Sequence, residues 1–362
     1  PLWLLPQGEL YGGMWSVAGL PAGDSIVLTA TQVVTQPGAL NVVVNADAGD
    51  ILVETTKANN AGEAEMGVLG TIAYCGDITG DATWAYAVFV PTCDITVQGN
   101  ATLTVRNGTV VKPMGGFGIY INGRLNGVGD SITPVVFTSY KDDAYGGDTN
   151  NDGLGSTPAP GNWTVINIAA TGTANIDYAR IRYGGAGPNT VGIDGGTLYL
   201  AHSTIESGAG VGIRVASGST LTVQDSIIQG NAGSGIDFTQ TNGAAAPTIR
   251  NTVFHSNTVY AVYFTLNPAT FDDSNIQNNT ATGNTWNGIG LAATFSGASI
   301  LSSNTGMAYI VPSSNLVGAG ASLTVNAGTV IKPGGIDCWS LIGGNIKVAG
   351  ILTVSGTLTN PV

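Results

Sequence analysis

Charge is what this sequence has least of. Charged residues make up 9% of the 362, Lys and Arg together number 11, and there are 2 His. An ordinary globular domain carries about 25% charged residues. The polar surface must therefore come from Asn, Thr, Ser and backbone, a composition common in repetitive extracellular β proteins. The few cations sit in a chain of formal net charge −12. That argues against nucleic acid, whose binders need a basic stripe, and against an anionic membrane surface. It suits divalent cations, and solubility through weak self-repulsion. Zinc-type spacing of Cys or His is missing. So are any apolar run of about 18 residues that would cross a membrane, and the basic start of a signal peptide in "PLWLLPQGEL". There is no helical 3.6-residue period, no phosphate loop and no dinucleotide fingerprint. The Gly-rich runs read as turns.

Gly is abundant, at 54 residues, and it punctuates a repeat. Residues 196–296 contain "LYLAHSTIESGAGVGIRV", "LTVQDSIIQGNAGSGIDF", "PTIRNTVFHSNTVYAVYF" and "TFDDSNIQNNTATGNTWNGIGL". In one alignment Leu200, Val223, Ile249 and Phe271 correspond, as do Ile205, Ile228, Phe254 and Ile276, and Ile213, Ile236, Val262 and Ile289. "ARIRYGGAGPNTVGID" adds an earlier unit with Ile181 and Ile193. Short β-type alternation at a period of about 20–25 is the mark of a solenoid, because one unit cannot bury its apolar face alone. Stacking would place equivalent side chains about 4.8 Å apart. Ile181, Ile205, Ile228, Phe254 and Ile276 would then form an interior ladder, and Asp225, Asn251 and Asp273 a polar ladder at a turn. A β-sandwich predicts no such ladders, so a parallel β-helix is the expected architecture.

A longer repeat lies over this one. "NATLTVRNGTVVKP" (100–113) matches "GASLTVNAGTVIKP" (320–333), and the match continues from "IYINGRLNGVG" to "IKVAGILTVSG". The sequence ends inside this second copy, so both ends read as cuts in a longer chain. Residues 1–65 instead show alternating runs between Gly/Pro turns, the pattern of an Ig-like β-sandwich segment. The expected division is 1–65 Ig-like, 66–310 a β-helix module, and 311–362 the start of a second copy.

Two resemblances bear on this. "LPAGDSIVLTA…PGALNVVVNADAGDILVETTKANN" resembles the last strands of bacterial cell-adhesion-related Ig-like domains, which end in a Val–Glu…Asn–Asn pattern, here Val53, Glu54, Asn59 and Asn60. "CGDITGDATW…VFVPTCDITVQGNATLTVRNGTVVKP", "TPVVFTSYKDDAYGGDTNNDG…PAPGNW" and "IDYARIRYGG" resemble the right-handed parallel β-helix modules of large bacterial and archaeal surface proteins, over roughly residues 71–362. The resemblance implies an all-β chain at the cell surface or outside the cell, in a family mostly without known enzymatic activity. The expectation is a non-catalytic structural or adhesive module, joined head to tail into a fibre or continued by a longer chain, and in contact with surface polysaccharide if it has a ligand. The rival is a carbohydrate-binding or carbohydrate-cleaving β-helix, such as a polysaccharide lyase or a tail-spike-like protein.

The stretch "GGDTNNDG" carries the clearest metal pattern. Asp148, Asn150 and Asp152 alternate and Gly153 closes the run, as in a Ca²⁺ loop whose oxygen ligands converge at a sharp turn. The twelfth position is Ala159 where an EF-hand carries Glu, so Asp142 and Asp143 are the candidates to complete the shell. The competing reading is a solvated acidic loop of Asx turns. The segment 140–163 has no strand pattern, and loops that long are usually functional or tied down.

Cys75 and Cys93 flank an apolar run and can close one disulfide in an oxidising compartment. Cys338 is left as a buried thiol or an intermolecular bridge. Arg180 and Arg182 are the best candidates for a lyase base; the plainer reading is a surface pair balancing Asp177 and the acidic loop. Asp225, Asp237, Asp272 and Asp273 fit a turn ladder better than a hydrolase pair. Tyr260, Tyr263 and Trp286 can stack on sugar rings, unless some of them fill the core. His202 and His255 read as turn or surface residues.

Overall fold

A computed structural model describes residues 38–45, 61–68, 70–334 and 344–362. From Thr71 onward the chain winds as a parallel β-solenoid. One turn consists of Thr197–Ala201 on a first face, Thr204–Glu206 on a second and Val211–Val215 on a third. The next turn begins with Thr197 facing Thr220, one full period later. The first sheet has 8 strands and the second 9, while the third forms a 12-stranded sheet whose main path stacks 10.

The interior is a set of apolar columns. Phe137, Ile181, Ile205, Ile228 and Phe254 face one another in register on the second face, and all are 0% exposed. Each such side chain contributes about 1.5–3 kcal/mol by leaving water. The corner between the first and second faces is a single residue in the left-handed conformation. Tyr178, His202, Asp225, Asn251 and Asn278 occupy it, with φ between 45° and 56°. Asn, Asp and His tolerate that region better than most residues, and Asn251 donates to Asp225 at 2.9 Å along the column. The corner between the second and third faces is held by a buried asparagine ladder, in which Asn231 donates to Asn257 and Asn257 to Asn284, each at 2.9 Å.

Two details of the expected register are corrected. Ile276, not Phe271, stacks on Ile249 in the first sheet, and Ala281, not Ile276, stacks on Phe254. The cause is the strand Tyr260–Phe271, whose 12 residues carry it past the usual corner. Asp273 therefore does not join the turn ladder. It is buried, accepting from Ser302 N and Oγ and from the Tyr309 hydroxyl, while Asn278 takes the corner.

The second copy of the long repeat continues the solenoid by parallel pairing. Ala308–Val311 stacks on Trp286–Phe295 in the third sheet and carries Ile331–Pro333. Asn315–Val317 extends the far end of Trp286–Phe295, and Ser322–Val325 stacks on Ala298–Leu301.

Of the expected Ig-like segment, most lies outside the described residues. The described strands Gly38–Asn45 and Ala61–Val68 pair antiparallel, Gly38 facing Val68. Cys338 also lies outside the described residues. No helix among the described residues is long and apolar enough to cross a membrane.

Candidate functional site

The second face bears two features on its outer surface, a docked acidic loop and a groove beside it. The docking begins with three strands that do not alternate. Val88–Pro91, Val110–Val111 and Val135–Phe137 are buried at every position. Continuous apolar runs indicate burial on both sides. Here the inner side is the solenoid core. The outer side is a small separate cluster of Val88, Val90, Val110 and Val136, against which Tyr140 and Tyr145 pack. The segment 140–163 is thus a cover over an apolar patch. Its far end is pinned by Trp163, which is fully buried, donates to Arg182 O at 2.8 Å and lies over Gly184. A Cβ on Gly184 would come within 2.9 Å of the Trp163 ring. At the near end Gly146 has φ +72°, and a Cβ there would meet Val88 at 2.5 Å.

Under this cover lies Lys112, 0% exposed, a residue the sequence reading passed over. Its ammonium donates to Gly147 O at 2.8 Å and to Thr149 Oγ1 at 2.7 Å. Burial lowers its pKa, and Asp142, Asp143 and Asp148 oppose that shift by attraction. The clue was a single Lys inside an apolar stretch, "TVVKP": a buried ammonium needs a partner.

The acidic residues divide. Asp143, Asp148 and Asp152 each bring a carboxylate oxygen within 4.8 Å of the others. Asp142 does not belong to this set and is corrected. It is buried and turned away, accepting from Thr138 Oγ1 and Ala144 N and lying 3.6 Å from Arg182. The loop backbone turns Asp142 inward to Thr138 and Arg182 and Asp143 towards Asp148 and Asp152. Asp148 accepts from the backbone N–H of Asp152 at 3.1 Å and of Gly153 at 2.8 Å. Asn150 donates to Asp152 at 2.8 Å and to Ser156 at 2.9 Å. Those bonds are what an Asx-turn loop would make. Two oxygens stay over: Asp143 Oδ1 and Asn150 Oδ1 are shielded from solvent and have no hydrogen-bond partner. An all-oxygen set of three convergent carboxylates with spare acceptors beside it fits a hard cation such as Ca²⁺.

The groove has a volume of about 420 Å³ and draws on three successive turns: the 130–134 turn, then Tyr178 to Arg180, then His202 and Thr204, with Tyr145 of the loop as one wall. Asp130 is saturated, accepting from Ile132 N, Thr133 N, Thr133 Oγ1 and Asn107 Nδ2. These bonds, led by the Thr133 N–H, hold its carboxyl down at about 2. Arg180 donates to Tyr145 Oη and lies 3.8 Å from Glu206, which Arg182 shares at 3.3 Å. The arginines therefore balance Glu206 and Asp142. Asp177, their expected partner, instead meets His202 Nδ1 at 2.8 Å, and the His202 ring stacks on Tyr178 at 4.6 Å between centroids.

The other candidate residues are scattered. Cys75 and Cys93 are joined by a disulfide, with Cα atoms 5.2 Å apart. Tyr263 and Trp286 flank Tyr260 on the third face, with centroids 4.9 and 6.1 Å from it. Tyr260 itself is buried, 9% exposed, so as a sugar-stacking ring it is corrected. Asp237, next to Tyr263 on that face, has an unpartnered Oδ1. Burial raises its pKa to about 6 against the pull of Arg214. Asp225, at a corner, and Asp273, in the interior, are not brought to it.

Residues 154–305 match the family model described as Right handed beta helix region. The solenoid is thus a right-handed β-helix; the match takes in the end of the acidic loop and the groove's Tyr178, Arg180, His202 and Thr204, while the 130–134 turn and Tyr145 precede it. No curated protein and no solved structure matches the chain.

Proposed function

We propose that this chain is a non-catalytic, extracellular structural or adhesive protein: a rigid β-helical module of a cell-surface or filament-forming assembly, with one loop stabilised by Ca²⁺. The observation that carries the reading is the junction between repeats. Tandem copies are joined by ladder pairing, Ser322–Val325 on Ala298–Leu301 and Ile331–Pro333 on Ala308–Val311, rather than by a linker. Copies added the same way make one stiff rod, in which each turn contacts only its neighbours. Head-to-tail contact between separate subunits would use the same ladder and would be heterologous, growing open filaments. Calcium enters as a staple: the loop already rests on the valine patch and on Lys112, and a cation at Asp143, Asp148 and Asp152 would relieve their repulsion. Electron microscopy of the native protein with and without a chelator tests this. Filaments or rods that fray or shorten in chelator support it, and discrete particles indifferent to chelator contradict both the polymer and the calcium.

A second reading, a carbohydrate-binding or carbohydrate-cleaving β-helix, is favoured by the groove, where Arg180 and the Asp177–His202 pair share one face. Release of unsaturated or reducing ends from a panel of polysaccharides would establish cleavage.

A further inference from the structure

The groove has polar groups that the fold does not use. Among the described residues the hydroxyls of Ser131, Tyr178 and Thr204 make no hydrogen bond, although all three residues line the groove. His202 spends Nδ1 on Asp177, which leaves Nε2. Arg180 is backed by Tyr145 and Glu206 and keeps 40% of its side chain exposed. Apolar surface lies on both sides of these groups. Ile132, at the lower rim, is 88% exposed. Above, the outward column that holds Arg180 and Thr204 continues in register to Ile227 and Val253, which are 39% and 38% exposed. Uncommitted hydroxyls and one ring nitrogen along an axial strip, alternating with apolar patches, complement a ligand that offers hydroxyls and C–H faces in turn.

The charge pattern narrows the class. Asp130 is saturated, and Arg180 and Arg182 are matched by Glu206 and Asp142, so the groove holds no surplus cation for a carboxylate. A chain of net charge −12 also repels polyanions. An extended peptide adding as a strand needs a free sheet edge, whereas this surface is the face of a sheet whose backbone groups are paired along the axis. We propose that the strip bounded by Ile132, Tyr145, Tyr178, Arg180, His202 and Thr204 binds a neutral polysaccharide lying along the helix axis. This rests on the carbohydrate-binding reading of the groove and stands whether or not the rod polymerises.

The test is calorimetric and NMR titration of the whole chain with the neutral hexasaccharides of cellulose, xylan, mannan and amylose, and with polygalacturonate. At least one neutral hexasaccharide should bind saturably. The double variant Tyr178→Phe/Thr204→Val, which keeps ring and branch but deletes two hydroxyls, should weaken it by about fivefold or more. Thr222→Val on the first face should leave binding unchanged, and both variants should melt with the wild type. The proposal is overturned if no neutral hexasaccharide binds at millimolar concentration, if polygalacturonate alone binds, or if the double variant binds as tightly as the wild type.

Discussion

Lys112 gives the sharpest prediction about the acidic loop. Replacing it by Met keeps the length of the stem and deletes the ammonium that donates to Gly147 O and Thr149 Oγ1. Hydrogen bonds from a charged group contribute about 1.5–3 kcal/mol each. Part of that is offset, because holding an ammonium out of water costs several kcal/mol and Met has no such cost. The carboxylates of Asp142, Asp143 and Asp148 also lose an attracting charge. The balance is a net loss of about 2 kcal/mol, concentrated in docking of residues 140–163 because both hydrogen bonds of the ammonium go to that loop. At 1.4 kcal/mol per factor of ten, the undocked population rises about 30-fold. Lys141 is an exposed trypsin site inside the segment, and cleavage there follows the undocked population when reclosing is fast. Lys112→Met should therefore be cut after Lys141 about 30 times faster than wild type in chelator, and added Ca²⁺ should recover part of the protection. Equal cleavage rates would refute the reasoning. So would a lowered melting temperature with unchanged loop cleavage, since Lys112 would then support the solenoid and not its cover.

Ca²⁺ at 100 times its dissociation constant should stabilise the docked loop by about 2.7 kcal/mol, read as slower cleavage after Lys141; Asp148→Asn/Asp152→Asn should abolish the response. Asp237, whose folded pKa is raised to about 6, holds its proton more tightly folded than unfolded. Its charged form thus opposes folding above that value, and stability contributed at this site should rise as pH falls from about 7 to 4. Asp237→Asn should stabilise the chain at pH 7 by about 1–2 kcal/mol after allowance for solvent screening and flatten urea midpoints across that range. Removing the disulfide with Cys75→Ser/Cys93→Ser opens a loop with a sequence separation of 18 and should cost about 3 kcal/mol, seen as early hydrogen exchange of Thr71–Tyr74 and Val88–Pro91. Gly146→Ala, at φ +72° against Val88, should undock the loop by about 1–3 kcal/mol and speed the same tryptic cut.

The repeat was legible because a solenoid puts chemically equivalent side chains at equivalent positions, so Ile213, Ile236, Val262 and Ile289 announced their own register. The fourth unit differs where the strand Tyr260–Phe271 outgrows its predecessors: the extra residues at that corner move Ile276 and Ala281 into the columns expected for Phe271 and Ile276, and Ile289 is back in register. The corner residues His202, Asp225 and Asn251 were recognisable from their types. The loop's acidic motif was visible too, but not which carboxylates converge: Asp142 and Asp143 are adjacent, and only the backbone path between Ser139 and Ala144 decides that one meets Arg182 and the other Asp148. The docking patch did have a signal in the unbroken runs "VFVP", "VVKP" and "PVVF", which a half-exposed strand would not tolerate. The groove had none, because Ser131, Tyr178 and Thr204 come from three turns and meet only when the turns stack.

The central claim is that successive copies of the long repeat fuse into one rod through a continuous ladder. Native-state hydrogen exchange across the junction tests it most directly. The account predicts that amides of Ala308–Val311, Asn315–Val317 and Ser322–Val325 are protected to a degree comparable with Thr197–Ala201 and Val211–Val215. Exchange at those junction strands as fast as at Asp148–Ser156 of the exposed loop would contradict it.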